Sequence, residues 1–245
     1  MSLVNREYRK KAQQILLQWS QQEVNTENSA DLDKHSLAGM IDHTLLKPDA
    51  SISAINKLCR EALEFRFASV CINPVHVERC VQNLEGKVPT CTVVGFPLGA
   101  NHSHIKAAEA ALAIEQGAAE VDMVINVGLL KTANYQDVYE DIRAVRKAAE
   151  KGLLKVILET CLLSQEEIII ASMLCREAGA DFVKTSTGFS SGGATTEDVS
   201  LMRFVVGDDM GVKASGGIRT KADALLMVGA GANRLGASAA SAALI

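Results

Sequence analysis

The sequence predicts an α/β fold, and within that class a (β/α)8 TIM barrel carrying an added N-terminal helix. Three observations lead there. Short runs rich in Val, Ile and small residues occur at 39–43, 68–73, 90–96, 120–126, 154–160, 181–186, 211–215 and 234–237, which makes eight strands. Longer amphipathic stretches lie between them, near 51–66, 74–84, 103–116, 134–151, 164–178, 195–206 and 220–229, with a short final helix from Ser238. The chain of 245 residues is the length one such barrel uses, with 48% hydrophobic residues to fill it. Near-continuous apolar strands suit a parallel sheet covered by helices. The alternative is an open doubly wound sheet.

Each element has a local reason. Residues 1–35 form a helical extension and linker, and 36–245 the barrel domain. Val4, Tyr8, Ala12, Ile15, Leu16 and Trp19 recur at helical spacing, so one stripe of the first segment is apolar. The polar stretch 25–34 reads as the linker. The helix packs either on the barrel or on another subunit, and the sequence leaves both open. Three unit joints share one theme: Glu115-Gln-Gly-Ala-Ala-Glu-Val, Glu177-Ala-Gly-Ala-Asp-Phe-Val and Val228-Gly-Ala-Gly-Ala-Asn-Arg. Each is a helix end, a Gly for a left-handed cap, then a strand.

Composition excludes several classes. Lys plus Arg is 25 and Asp plus Glu 29, so a net charge of −4 predicts neither nucleic-acid nor acidic-membrane binding. Aromatics at 4% are too few for a base-stacking platform. The six cysteines contain no C-x-x-C pair, and 1–24 carries charges where a secretory signal would be apolar. A reduced, cytoplasmic protein with free thiols is expected. No metal site is expected, because neither Cys nor His shows ligand spacing. His102 and His104 read as a helix start, and His43 and His76 as packing or loop residues. Cys71 reads as core or pocket lining.

The informative residues are charges inside strands. On the helix-facing side a charge would be buried without water, at several kcal/mol. On the inner face near the C-terminal mouth it is tolerated, and barrel enzymes place their chemistry there. Asp122, Lys155, Lys184 and Lys213 occupy strands 4 to 7, and Asp42 at strand 1 closes the ring. One strand-end lysine is usually snorkelling or ion-paired; three on consecutive strands call for another explanation. Neighbouring strands lie about 4.8 Å apart, so Lys184 and Lys213 can hold their amines roughly 6 Å from each other. At an effective dielectric near 20 they repel by about 3 kcal/mol, enough to weaken one amine's hold on its proton about a hundredfold. Such an amine attacks a carbonyl and forms a Schiff base, an electron sink for cleaving or making a carbon–carbon bond. Asp122 is placed to carry protons, directly or through water.

The loops after strands 7 and 8, Ser215-Gly-Gly-Ile-Arg and Gly236-Ala-Ser, are small and lead toward helices. That is a frequent phosphate site in barrels, because backbone N–H groups can approach an anion. Thr187-Gly188 after strand 6 adds to it, and Ser238 can donate a hydroxyl.

Ile41-Asp-His-Thr-Leu-Leu, Ser69-Val-Cys-Ile-Asn-Pro, Val94-Gly-Phe-Pro-Leu-Gly, Glu120-Val-Asp-Met-Val-Ile-Asn, Leu154-Lys-Val-Ile-Leu-Glu-Thr, Phe182-Val-Lys-Thr-Ser-Thr-Gly-Phe, Val212-Lys-Ala-Ser-Gly-Gly-Ile-Arg and Leu235-Gly-Ala-Ser together resemble the deoxyribose-phosphate aldolase family, in order from about residue 37. The resemblance implies a class I aldolase that uses neither metal nor organic cofactor. The implied reaction is reversible cleavage of 2-deoxy-D-ribose 5-phosphate to D-glyceraldehyde 3-phosphate and acetaldehyde, in deoxynucleoside breakdown. It assigns Lys184 as the Schiff-base lysine, Lys213 as the companion that lowers its pKa, and Asp122 as proton donor and acceptor. Lys155, Asp42 and Cys71 support the site. Gly188, Gly216, Gly217, Gly236 and Ser238 cradle the substrate phosphate, and Thr187 contacts substrate. The implied partner is a small phosphosugar, with no nucleic acid and no membrane, and a homo-oligomer is left open. The first 35 residues lie outside the motifs, and the chain stops at Ile245. The expectation is therefore no counterpart to the longer C-terminal tail that reaches the site in some members, which bears on enamine protonation. The nearest rival is another Schiff-base aldolase or a transaldolase acting on a phosphosugar. A non-catalytic phosphate-binding barrel and a metal-dependent phosphosugar isomerase are further alternatives.

Overall fold

Eight parallel strands close on themselves in chain order: β1 (Ile41–Leu45), β2 (Ser69–Ile72), β3 (Thr90–Val94), β4 (Glu120–Val124), β5 (Leu153–Ile157), β6 (Phe182–Lys184), β7 (Gly211–Ser215) and β8 (Arg234–Ala237). The last strand returns to β1, with Asp42 opposite Gly236. The structure is a computed structural model that describes residues 3–21, 32–238 and 244–245. Around the barrel run α3 (Ile52–Phe65), α4 (Val77–Leu84), α5 (Ser103–Glu115), α6 (Val127–Lys131), α7 (Tyr135–Ala148), α8 (Gln165–Glu177), α9 (Thr196–Val206) and α10 (Lys221–Gly229). Before them come α1 (Leu3–Trp19) and the short α2 (Lys34–Ala38). The expected fold class is the observed one, and the closed ring rules out the open sheet.

Helix boundaries follow capping chemistry. Ser51, Ser164, Thr195 and Thr220 each accept a hydrogen bond from the amide three residues on. Gly117, Gly179 and Gly231, the glycines of the three repeated joints, all have left-handed φ, at 97°, 81° and 110°. Strands 3 to 6 end earlier than the apolar runs suggest. Ile125 and Leu158 are fully buried beyond their strands, and their N–H groups bond the carbonyls of Ile157 and Lys184 on the next strand. Burial, rather than strand geometry, keeps these loop residues apolar. The sequence reading misses α2, α6 and the 3-10 turns Pro74–His76 and Thr160–Leu162, all too short to show a period.

The apolar stripe of α1 lies on α8 and α9 of its own chain, which settles the open alternative. Ala12 is fully buried, and Tyr8, Ile15, Leu16 and Trp19 pack on the core. Trp19 Nε1 donates to Ser200 Oγ at 3.2 Å, Asn5 Nδ2 to the Ala133 carbonyl at 2.7 Å, and Tyr8 Oη to Glu177. Most of the expected linker, and the helix expected after Ser238, lie outside the described residues. Among the described residues no helix is long and apolar enough to cross a membrane.

Strand side chains alternate between two environments. Val121, Met123, Leu154, Val156, Val183, Val212, Ala214 and Leu235 join the core under the helices. The residues between them point into the barrel, and there the near-continuous apolar runs are interrupted by the charges that the sequence singled out. Instead of layered aliphatic side chains, the interior holds Asp42, Ser69, Glu120, Asp122, Lys155, Lys184, Lys213 and Arg234, all buried apart from the part-exposed Arg234.

Candidate active site

The register brings the charges together. Asp122 on β4 sits opposite Lys155 on β5, and Lys184 on β6 opposite Lys213 on β7. Asp122 is the hub. Its Oδ1 accepts from Lys155 Nζ at 2.7 Å, and its Oδ2 accepts from both Lys184 Nζ and Lys213 Nζ at 2.8 Å. Lys213 also donates to Asp42 Oδ2. Lys155 pairs with Glu120 at 2.6 Å and lies 3.7 Å from Asp42. Arg234, at the base of β8, bonds Asp42 Oδ1 at 2.5 Å and grips both oxygens of Glu120 at 2.5 and 2.7 Å. Ser69 Oγ donates to Asp42 at 2.7 Å.

This corrects the electrostatic picture read from the sequence. The two lysines do not face each other across a gap: one carboxylate oxygen lies between them. Burial alone would lower the Lys213 pKa, but Asp122 and Asp42 outweigh it and hold it above the ordinary lysine range. Lys155 is raised in the same way, against burial, by Asp122 and its neighbours. Burial would likewise raise both carboxylates, yet the surrounding cations press Asp42 and Asp122 below the usual carboxylate range. Four cations (Lys155, Lys184, Lys213, Arg234) meet three carboxylates (Asp42, Glu120, Asp122), leaving one positive charge in surplus.

The small-residue loops converge beside this network. Gly188, Gly216 and Gly217 have φ of 84°, 85° and 83°, the left-handed region that favours glycine. A Cβ on Gly188 or Gly217 would meet nothing within 4 Å, so both border open space. A Cβ on Gly216 would come 3.0 Å from Gly193 Cα. Gly236 has an additional packing reason, since its Cβ would lie 2.2 Å from Ser215 Oγ and 3.3 Å from Lys213 Cε. Ser238 follows β8 and is exposed. Among the described residues the buried hydroxyls of Ser186 and Ser215 have no hydrogen-bond partner. Both adjoin Gly216. Thr187 is pinned by Glu159, which accepts from its N–H at 3.2 Å and its hydroxyl at 2.5 Å.

Cys71 and Cys91 adjoin the hub, and with Asp122 they are a trio close enough to hold a metal ion. The donor set argues against one. Both Asp122 oxygens already accept from ammonium groups, and the enclosure carries surplus positive charge. The histidines fall outside the site: His43 packs on Phe67 and bonds Glu61 at 2.8 Å, and His102 stacks on His104 at the start of α5.

Four site residues escaped the sequence reading: Glu120, Arg234, Glu159 and Cys91. Glu120 and Arg234 open their strands and look like solvent-facing ends. Counting back two residues from Asp122 puts Glu120 on the same inner face, and that parity was the available signal. Nothing local marks Glu159, whose left-handed φ of 58° turns it toward Thr187.

The sequence model of the DeoC/LacD family aldolases matches residues 36–243. The chain belongs to that family. A Clostridium perfringens deoxyribose-phosphate aldolase is 60% identical over 210 residues, covering 85% of this chain and 94% of that protein. One from Streptococcus sanguinis is 60% identical over 200 residues, covering 81% and 91%. A Coccidioides immitis crystal structure, provisionally described as a deoxyribose-phosphate aldolase, superposes with a TM-score of 0.88 at 44% identity, covering 98% of this chain and 96% of that one. The Aeropyrum pernix deoxyribose phosphate aldolase, described as a tetramer, gives 0.82 at 34% identity over 90% and 94%.

Proposed function

We propose that this chain is a class I aldolase that reversibly cleaves 2-deoxy-D-ribose 5-phosphate to D-glyceraldehyde 3-phosphate and acetaldehyde. Relatives at 60% identity bearing that name support the reaction. The observation that carries the mechanism is the single Asp122 oxygen shared by Lys184 and Lys213. Lys184 ends its strand at the mouth and has only that shared carboxylate as an ion-pair partner among the described residues. With one cation in surplus, its proton can leave without stranding a carboxylate. The neutral amine attacks the substrate aldehyde carbon, and loss of water gives the iminium ion. The C3 hydroxyl gives up its proton, the C2–C3 bond breaks into the iminium sink, and glyceraldehyde 3-phosphate departs. Protonation of the enamine carbon and hydrolysis release acetaldehyde. Asp122 relays protons between Lys184 and the substrate, directly or through water. Lys213 remains an ammonium and keeps the enclosure positive. Lys155 and Asp42 hold Asp122 and Lys213 in place, and Cys71 lines the pocket. Gly188, Gly216, Gly217, Gly236 and Ser238 receive the phosphate, with Thr187 beside them. Residues 36–245 carry the chemistry and α1 braces the barrel.

Incubation with acetaldehyde and borohydride, digestion and peptide mass measurement test this. The reduced two-carbon adduct is expected on the Lys184 peptide, and its absence there refutes the assignment. Because the family spans more than one aldolase, donor choice is a second test: acetaldehyde turns over, and dihydroxyacetone does not. The tetramer described for the Aeropyrum pernix relative supports self-association of this chain, which we place in the cytoplasm. Light scattering at a single monomer mass would remove that part.

A further inference from the structure

We propose that Cys71 and Cys91 form a reversible dithiol–disulfide pair, a modification site through which hydroperoxides switch off the barrel interior. The two residues are in-register partners on β2 and β3. In-register neighbours stand about 4.8 Å apart, inside the roughly 4.4–6.8 Å Cα window of a disulfide. Both side chains face the interior, where they share a small cluster with Leu46, Val93 and Phe96. Their sulfur atoms lie within 4.8 Å of each other and of an Asp122 oxygen. The bridge therefore needs only side-chain rotation.

The two thiols are not equivalent. Cys91 Sγ donates to Asp122 Oδ1 at 3.2 Å and receives from Lys155 at 3.3 Å. Burial, the bond to Cys71 and the Asp122 charge push the Cys91 thiol up, so it stays protonated. The Cys71 thiol is drawn down by its contact with Cys91, against burial and assisted by Lys213. Because the Cys91 proton is held on Asp122, Cys71 is the attacking sulfur. Its thiolate displaces hydroxide from the peroxide O–O bond and becomes a sulfenic acid. The Cys91 sulfur then attacks that sulfur, the S–O bond breaks, and water leaves with the Cys91 proton. Overall two thiols and one hydrogen peroxide give one disulfide and two waters. Cys71 and Cys91 are both fully buried, so the peroxide must reach them through the barrel mouth. Oxidation removes the Cys91 S–H bond from Asp122 and disturbs the sulfur that Lys155 leans on.

The test treats the full chain carrying Cys161→Ser, which removes the exposed thiol, with stoichiometric hydrogen peroxide. Digestion without reductant should yield one linked peptide joining Cys71 to Cys91. Aldolase activity should fall about tenfold, the scale of one lost hydrogen bond to a charged group. Dithiothreitol should restore both mass and rate. In a Cys91→Ala chain, measured against its own untreated rate, Cys71 should pass to sulfinic acid and dithiothreitol should restore nothing. A bridge joining Cys59 to Cys80, the other neighbouring thiols, would overturn the assignment. So would both interior thiols surviving unoxidised, or a Cys71–Cys91 bridge with undiminished turnover. The linked peptide is read by mass alone, so it stands or falls independently of the aldolase reaction.

Discussion

Replacing Asp122 by Asn tests the hub most directly, because the change keeps the shape and removes only the charge and one acceptor. The carboxylate accepts from three ammonium groups and one thiol. An amide has one acceptor oxygen. If that oxygen faces Lys184 and Lys213, the amide N–H2 is left pointing at Lys155 and Cys91, donor against donor. Lys155 keeps Glu120 at 2.6 Å, so it is not stranded. The remaining loss is one charge-assisted bond plus the pull of Asp122 on all three lysines, and the surplus of cations rises from one to two. Breaking a buried ion pair by removing one partner costs about 3–5 kcal/mol. At roughly 2–4 °C per kcal/mol for a chain of this size, the melting temperature should fall by about 6–20 °C. With the proton relay gone, kcat should fall about 100- to 10,000-fold at 25 °C. KM should change little, since the phosphate contacts are untouched. Calorimetry and steady-state kinetics read the two effects separately. A variant that keeps its melting temperature and loses less than tenfold in kcat would refute the role of Asp122 as the common acceptor.

Three further outcomes follow from the same geometry. Lys184→Leu should fold, since a similarly shaped apolar side chain replaces a buried amine that makes a single ion pair, but it should neither turn over nor be labelled by acetaldehyde and borohydride; circular dichroism and peptide mass check both. Stability should be highest near neutral pH and fall toward both acid and alkaline extremes. Asp42 and Asp122 have folded pKa values below their unfolded ones, so their contribution is present above about pH 4 and is lost on acidification. Lys155 and Lys213 are raised, so theirs is present below about pH 10 and is lost as alkali strips the folded ammonium groups. Thermal melts across pH should show both limbs, and Asp42→Asn should flatten the acid one. Gly217→Ala puts a methyl into open space at a left-handed φ, costing about 1–2 kcal/mol of backbone strain. KM for the phosphorylated substrate should rise while turnover of unphosphorylated 2-deoxyribose changes little, and equal effects on both would remove the cradle.

Much of the fold was legible because a parallel strand under helices must be apolar on at least one face, and eight such runs stand out. Their ends were less legible, since buried loop residues such as Ile125 and Leu158 are as apolar as strand residues. The central lysines and Asp122 were visible as charges in runs where a charge needs a reason. The carboxylate oxygen bridging Lys184 and Lys213 was not visible. Distance along strands gives separation between lysines, but only coordinates show that a carboxylate oxygen sits between them. Glu120 and Arg234 were missed because a charge at the first residue of a strand is ordinary. Their mutual grip across the base of the barrel needs the ring to be closed.

The alternation along each strand divides the labour of the chain. Side chains turned outward supply the apolar adhesion that makes the barrel fold, while many of those turned inward form a charged network with a fixed tally of its own. Single charge changes inside should therefore be punished, whereas coordinated sets that preserve the tally should be accepted. A designer seeking new carbon–carbon chemistry in this scaffold would do best to exchange interior residues in balanced groups and leave the shell alone.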